Sequence, residues 1–282
     1  MTFLSMTPIL MAAVNLLVGL CVGLTGIAGF LLPMFYSGFL GFPSAVSLAL
    51  SFSAFLVSGI LGSAGYYRSG NLDLRTGLAL SLGSFPGAIL GVQLNLLIPE
   101  AVIKSLLYLV VLGSGLSILV RELRSSRKKE TAGGSPQKKI MFYVILGLIT
   151  GAACAASGAG GPVLVMPLLT ICGFPAHMAV GIALFDSIFI ALPAAWGYLQ
   201  AAFALSAQAA PAIQASAALS APAATASLPP AAALRFLPVL LLFHGAGVLA
   251  GSRFAVRINQ KLLKTIVATA SIIIACLKLS GF

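Results

Sequence analysis

Long apolar runs dominate this chain and restrict the structures that it can form. Residues 8–24 and 44–67 contain no charged side chain, and about 20 apolar residues cross a bilayer as a helix. In lipid every backbone N–H and C=O group must be paired within the protein, which favours helices. With 60% hydrophobic and 7% charged residues, the composition excludes a soluble domain. We therefore predict an all-α polytopic membrane protein, with room for roughly eight to ten crossing or half-crossing segments.

The net charge of +11 does not indicate a nucleic-acid partner. Seven of the sixteen Lys and Arg residues lie in residues 121–139, and others flank apolar runs. This distribution is typical of the positive-inside rule, so the lipid bilayer is the expected partner. Cys21, Cys154, Cys172 and Cys276 lie in apolar segments at spacings that form no metal motif. We expect no metal and no cofactor, since no nucleotide-binding motif is present either.

The glycine pattern of the first half recurs in the second half. Gly151, Gly158, Gly161 and Gly173 match Gly19, Gly26, Gly29 and Gly41 at an offset of 132, while Gly247 and Gly251 match Gly87 and Gly91 at an offset of 160. We predict one membrane domain (1–282) with repeats at 8–120 and 140–280, joined by a basic cytoplasmic linker at 121–139. The larger offset places an Ala/Pro-rich insert at 201–233, where prolines favour a loop with short helical pieces. For the glycine pairs at 19/23, 87/91 and 247/251 we expect close helix packing.

Two clusters of small residues interrupt the apolar runs that open the repeats. Glycines and Pro162 cannot continue a regular helix, so each repeat is expected to begin with a broken or re-entrant segment, followed by three transmembrane helices. Loose backbone at that depth must be buried in protein or line a cavity, which makes it a candidate binding site. Helices that start just after the breaks would point their N-termini, which favour anions, at a shared cavity. The predicted binding residues are Thr25, Gly26, Gly29, Ser157, Gly158, Gly160, Gly161 and Pro162.

The orientation of the repeats depends on how each break folds. A continuous interrupted helix gives parallel repeats, whereas a hairpin gives inverted ones. Charge counting favours inverted repeats, because only then do the basic residues 253–264 lie on the same side as the linker. Both termini and the insert then face away from the cytoplasm.

Three polar side chains are candidates for proton coupling. Asp186 is the only acidic residue deep within an apolar run, and a carboxyl group is costly enough there to suggest a function. The alternative is a protonated Asp186 bonded to a neighbouring helix. His177 and His244 lie within or beside apolar sequence and can carry protons, although a lone histidine is more often a packing residue.

The paired breaks, each followed by a short proline-bearing helix and a Gly-Phe-Pro turn, resemble the sulfite exporter TauE/SafE family. The resemblance implies a secondary transporter in a bacterial-type inner membrane that moves small sulfur-containing anions, such as sulfite or sulfonates, by alternating access. Protons are a candidate coupling ion, and a homo-oligomer is compatible with this interpretation.

Two other classes of function compete with transport. An intramembrane serine hydrolase would use Ser157 as its nucleophile, with His177 or His244 as base. However, the repeat partner of Ser157 is Thr25, which favours a symmetric binding role over a unique nucleophile. A non-transporting membrane scaffold would have filled, dry breaks. We therefore predict that the protein is not an enzyme.

Overall fold

The computed structural model describes residues 2–26, 28–99, 140–218 and 230–254, with short stretches and single positions between 101 and 120 and between 265 and 277. These residues form helices and no strand, so the all-α prediction is confirmed. The helices are α1 (Thr2–Thr25), α2 (Leu31–Met34), α3 (Ser44–Arg68), α4 (Leu74–Leu97), α5 (Ile140–Ser157), α6 (Gly161–Ile171), α7 (Ala176–Ala218), α8 (Pro230–Arg235) and α9 (Leu237–Phe254). A 3₁₀ turn and a π-helical turn extend α2 into the short segment Ala28–Phe39.

Five helical segments of the described residues are long and apolar enough to cross a membrane. They are Thr7–Leu24, Ser44–Arg68, Leu74–Leu97, Ile140–Ser157 and His177–Gln208. Three shorter apolar segments accompany them: Ala28–Phe39, Gly161–Ile171 and Leu237–Arg253. The chain is thus a multi-pass membrane protein.

Each of the two predicted breaks reverses the direction of the chain. Gly26 and Gly158 adopt φ values of 74° and 76°, a conformation that favours glycine. After the first break, the amide of Asn15 donates a hydrogen bond of 2.6 Å to the hydroxyl of Tyr36, so Ala28–Phe39 returns alongside α1. After the second, the Phe174 ring lies 6.1 Å from that of Tyr143, near the start of α5. Both breaks are therefore hairpins rather than continuous interrupted helices.

Glycines bring two pairs of helices into close contact. A Cβ atom at Gly87 of α4 would collide with the carbonyl of Leu148 in α5. One at Gly19 of α1 would collide with the carbonyl of His244 in α9. Similar collisions at Gly23, Gly91, Gly247 and Gly251 confirm the predicted close packing.

The order of the contacts gives the relative directions of the helices. On α4, Gly83 meets Val144 and Gly87 meets Leu148, so α4 and α5 run parallel. The corresponding contacts of Gly19 and Gly23 with α9 show that α1 and α9 also run parallel. In contrast, α3 and α7 are antiparallel, because Gly59 meets Ile188 whereas Gly62 meets Leu184.

The loop predicted for the Ala-rich insert is wrong for residues 201–218. Helix α7 continues through Pro211 to Ala218. The reason is that alanine has the highest helix propensity, and a long run of it offsets the cost of one proline. Residues 219–229 of the insert and the basic linker 121–139 lie outside the described residues.

Candidate functional site

The two hairpin turns meet at one small cavity of about 20 Å³. Its lining comes from α1, both turns, α3, α6 and α7: Val22, Gly26, Gly29, Phe55, Ser58, Ala159, Gly160, Pro162, Val163, Leu184 and Ser187. Phe55 and Ser58 lie near the midpoint of the membrane-spanning helix α3. The cavity is therefore close to the middle of a helix long enough to span a membrane, a depth at which loose backbone is tolerated when it lines a cavity.

The ring of Phe55 lies between the two turns. A Cβ atom at Gly29 would be 2.9 Å from the Cε1 atom of this ring, and one at Gly160 would be 3.3 Å from its Cε2 atom. The ring also packs edge-on against Phe52, with the centroids 5.5 Å apart. A side chain at Gly29 would therefore push against the ring, and one at Gly160 would need the ring to shift by a few tenths of an ångström.

Hydroxyl groups and one helix terminus supply the polar part of the lining. Ser187 donates a hydrogen bond of 2.8 Å to the Ala183 carbonyl, and Ser58 lies 3.2 Å from the carbonyls of Ala54 and Phe55. A serine hydroxyl can rotate to donate to a ligand instead. Helix α6 begins at the cavity, with Pro162 in its first turn. Its N-terminal end carries partial positive charge, which favours an anion.

Not every predicted binding residue lines the cavity. Gly26, Gly29, Gly160 and Pro162 do. Gly161 instead packs against the Ser187 hydroxyl, and Gly158 packs against Leu48. Ser157 donates a hydrogen bond of 2.6 Å to the Ala153 carbonyl. Thr25 ends α1, but its side chain lies outside the described part of the chain.

Sequence reasoning missed six lining side chains that belong to regular helices: Val22, Phe55, Ser58, Val163, Leu184 and Ser187. Only the two serines carried a usable signal, since both are polar residues within apolar runs. Ser187 directly follows Asp186, which the sequence analysis singled out. The four apolar side chains cannot be distinguished in the sequence from ordinary core residues.

Asp186 is fully buried but does not line the cavity. Its carboxyl oxygens lie 3.3 Å from the Ser81 hydroxyl and 3.0 Å from the Ser84 hydroxyl, both on α4. The Oγ atom of Ser84 is also 3.2 Å from the carbonyl oxygen of Gly147, and its hydroxyl has only one proton to donate. Both contacts of Ser84 are satisfied at once when Asp186 is protonated and donates to it. This geometry matches the predicted alternative of an aspartic acid bonded to a neighbouring helix.

The two histidines occupy different environments. His177 is exposed in the first turn of α7. His244 is fully buried, and its Nδ1 atom lies 3.3 Å from the Asn15 carbonyl, so the ring proton is on Nδ1. Its Nε2 atom has no hydrogen-bond partner among the residues that the structure describes. Within the same part of the chain, no hydrogen bond joins either histidine to Ser157, as a serine hydrolase would require.

A multi-pass helical protein with two hairpin turns around a cavity has an architecture that membrane transporters use, and comparison with known proteins identifies the family. The family model described as "Sulfite exporter TauE/SafE" matches residues 11–278, so the chain belongs to this family of membrane transporters. It is 25% identical over 197 residues to the "Probable membrane transporter protein YdhB" of Bacillus subtilis (strain 168), a match that covers 69% of this chain and 80% of that protein. No solved structure matches the chain.

Proposed function

We propose that this protein is a secondary transporter of small sulfur-containing anions and that the cavity between the hairpin turns is its central binding site. The observation that carries the proposal is the meeting of two glycine turns from distant parts of the chain at one buried cavity. The N-terminus of α6 and the hydroxyls of Ser58 and Ser187 border this cavity, and both favour an anion. The description of the family as a sulfite exporter directs the choice towards sulfite and sulfonates.

We infer that the two halves are inverted repeats. Gly19 faces the His244 carbonyl, and Gly151 faces the Ser84 carbonyl. Gly151 matches Gly19 at the offset of 132, and His244 matches Ser84 at the offset of 160. The same glycine-to-carbonyl contact between two helices therefore occurs twice, with the roles of the two halves exchanged. The antiparallel packing of α3 against α7 supports a two-fold axis in the membrane plane, as in other transporters built from inverted repeats.

The size of the cavity supports alternating access. A volume of about 20 Å³ holds one water molecule and no larger ion. An anion therefore enters only when the two turns move apart, with Phe55 moving away from Gly29 or from Gly160. Rocking of one repeat against the other provides this movement, and exchange of a proton at Asp186 would couple it to the proton gradient. We place the protein in a bacterial-type inner membrane.

Transport by Ser187→Ala in proteoliposomes tests the role of the cavity. Loss of one hydrogen bond to a charged ligand costs about 1.5–3 kcal/mol, which corresponds to roughly a 10- to 100-fold higher KM. The matched control is Ser206→Ala, because Ser206 makes the same 2.8 Å bond to the carbonyl four residues earlier on the same helix, but away from the cavity. The panel of anions is sulfite, methanesulfonate, sulfate and acetate. Equal KM values for the two variants, or no transport of any panel anion by the wild type, would reject the proposal.

A further inference from the structure

A second cavity, of about 360 Å³, lies beside the central one. We call it the vestibule, and its lining is Val22, Gly23, Gly62, Gly65, Tyr66, Ser69, Leu184, Val248, Ser252 and Arg253. Val22 and Leu184 line both cavities. These two apolar side chains therefore form the partition between the vestibule and the central site.

The vestibule lies at the helix ends that carry basic residues. Ser69 caps the C-terminus of α3, and Arg253 is in the last turn of α9. Among the lining residues that the structure describes, Arg253 alone carries a charge, and the others offer the hydroxyls of Tyr66, Ser69 and Ser252. A guanidinium binds oxyanions through paired hydrogen bonds and stays charged at any physiological pH. The chemistry of this lining suits a small oxyanion and repels a cation.

The matching positions in the second half differ in chemistry, because Gln93, which matches Arg253 at the offset of 160, lines a cavity of about 840 Å³. Tyr198, which matches Tyr66 at the offset of 132, is buried and donates a hydrogen bond of 2.8 Å to the Ala155 carbonyl. Its ring stacks on Phe52, with the centroids 5.7 Å apart. Tyr66, in contrast, is only partly buried, and a Cβ atom at Gly65 would meet nothing within 4 Å. The vestibule therefore combines a guanidinium with a partly buried tyrosine, whereas the matching positions hold a neutral amide and a buried tyrosine.

We propose that the vestibule is a second anion-binding site, in which Arg253 captures the transported oxyanion before it passes between Val22 and Leu184 to the central cavity. This inference rests on the proposed transport function. With the topology that charge counting favours, the vestibule faces the cytoplasm. The anion then exchanges the guanidinium and bulk water for the hydroxyls and the helix terminus of the central site.

Transport kinetics of Arg253→Gln test the capture step. Because Arg253 is exposed, its attraction is screened by salt, so KM for methanesulfonate should rise roughly three- to tenfold at low ionic strength and by less at high ionic strength. The maximal rate should change little, and Arg253→Lys should keep most of the salt dependence. Arg68→Gln is the control, because Arg68 ends α3 but does not line the vestibule. Equal KM values and equal salt dependence for the Arg253→Gln and Arg68→Gln variants would overturn the proposal.

Thiol labelling gives a readout that does not need transport. The probe is a cysteine at Gly65, where a side chain has open space, in a protein whose Cys172 and Cys276 are replaced by serine. Methanesulfonate should slow labelling of Gly65→Cys by a charged maleimide, but not labelling of Ala64→Cys, which is exposed outside the vestibule. Protection without transport by the wild type would support the vestibule and reject the transport proposal. Transport without protection would reject the vestibule alone.

Discussion

The replacement of Gly160 by alanine separates backbone strain from loss of the binding site. Gly160 precedes α6 with φ 63° and ψ 145°, a conformation that is almost restricted to glycine and costs other residues about 1–3 kcal/mol. The added Cβ atom would also lie 3.3 Å from the Phe55 ring. The chain can reduce both costs only by rotating the backbone at the start of α6. We expect this rotation to turn the first N–H groups of α6 away from the cavity.

The matched control is Gly41→Ala. Gly41 also has a positive φ, of 68°, but a Cβ atom there meets nothing within 4 Å. Its expected cost is strain alone, about 1–2 kcal/mol, so both variants should lower the melting temperature of the protein in detergent. Only Gly160→Ala should weaken anion uptake into proteoliposomes, by roughly 10- to 100-fold in KM if one hydrogen bond to a charged ligand is lost. Equal uptake by the two variants would refute the assignment of the α6 N-terminus to the anion site.

Two further predictions concern coupling and topology. Asp186→Asn keeps a side chain that can bond Ser81 and Ser84 but cannot release a proton. The protein should still fold, but the pH dependence of transport should disappear. An unchanged pH profile of uptake would exclude coupling through Asp186. Inverted repeats place both termini on the side opposite the cytoplasm. A C-terminal reporter that works only in the cytoplasm should therefore be inactive, and one that works only on the opposite side should be active. The reverse result would contradict the orientation inferred from charge.

The features that were predictable from the sequence follow from local rules. Apolar runs long enough to span a bilayer must become helices in lipid, since no other single segment satisfies its own backbone. The turns at Gly26 and Gly158 were predictable because glycines and a proline interrupt those runs. The close contacts of Gly87 and Gly247 were predictable because small residues at four-residue spacing line one helix face.

Other features depend on contacts between distant segments, which the sequence does not reveal by itself. The bond between Asn15 and Tyr36 shows that Ala28–Phe39 returns alongside α1. The residue pattern also allowed an interrupted helix, and only the count of charges favoured the hairpin. The position of Phe55 between the turns belongs to the same group, because one phenylalanine within α3 looks like any core residue. The continuation of α7 was missed for a different reason: prolines were given more weight than the alanines around them.

The two halves differ at the cavity itself, and this difference bears on the ligand. Ser187 matches Phe55 at the offset of 132, so equivalent positions place a ring on one wall and a hydroxyl on the other. The N-terminus of α6 lies beside Ser187, since Gly161 packs against that hydroxyl. The second-half wall thus combines a helix N-terminus with the Ser187 hydroxyl, whereas the first-half wall combines the Phe55 ring with the Ser58 hydroxyl. An anion with a charged sulfonate end and an apolar end matches both walls at once, whereas an ion that is polar all round leaves part of its hydration unreplaced against Phe55.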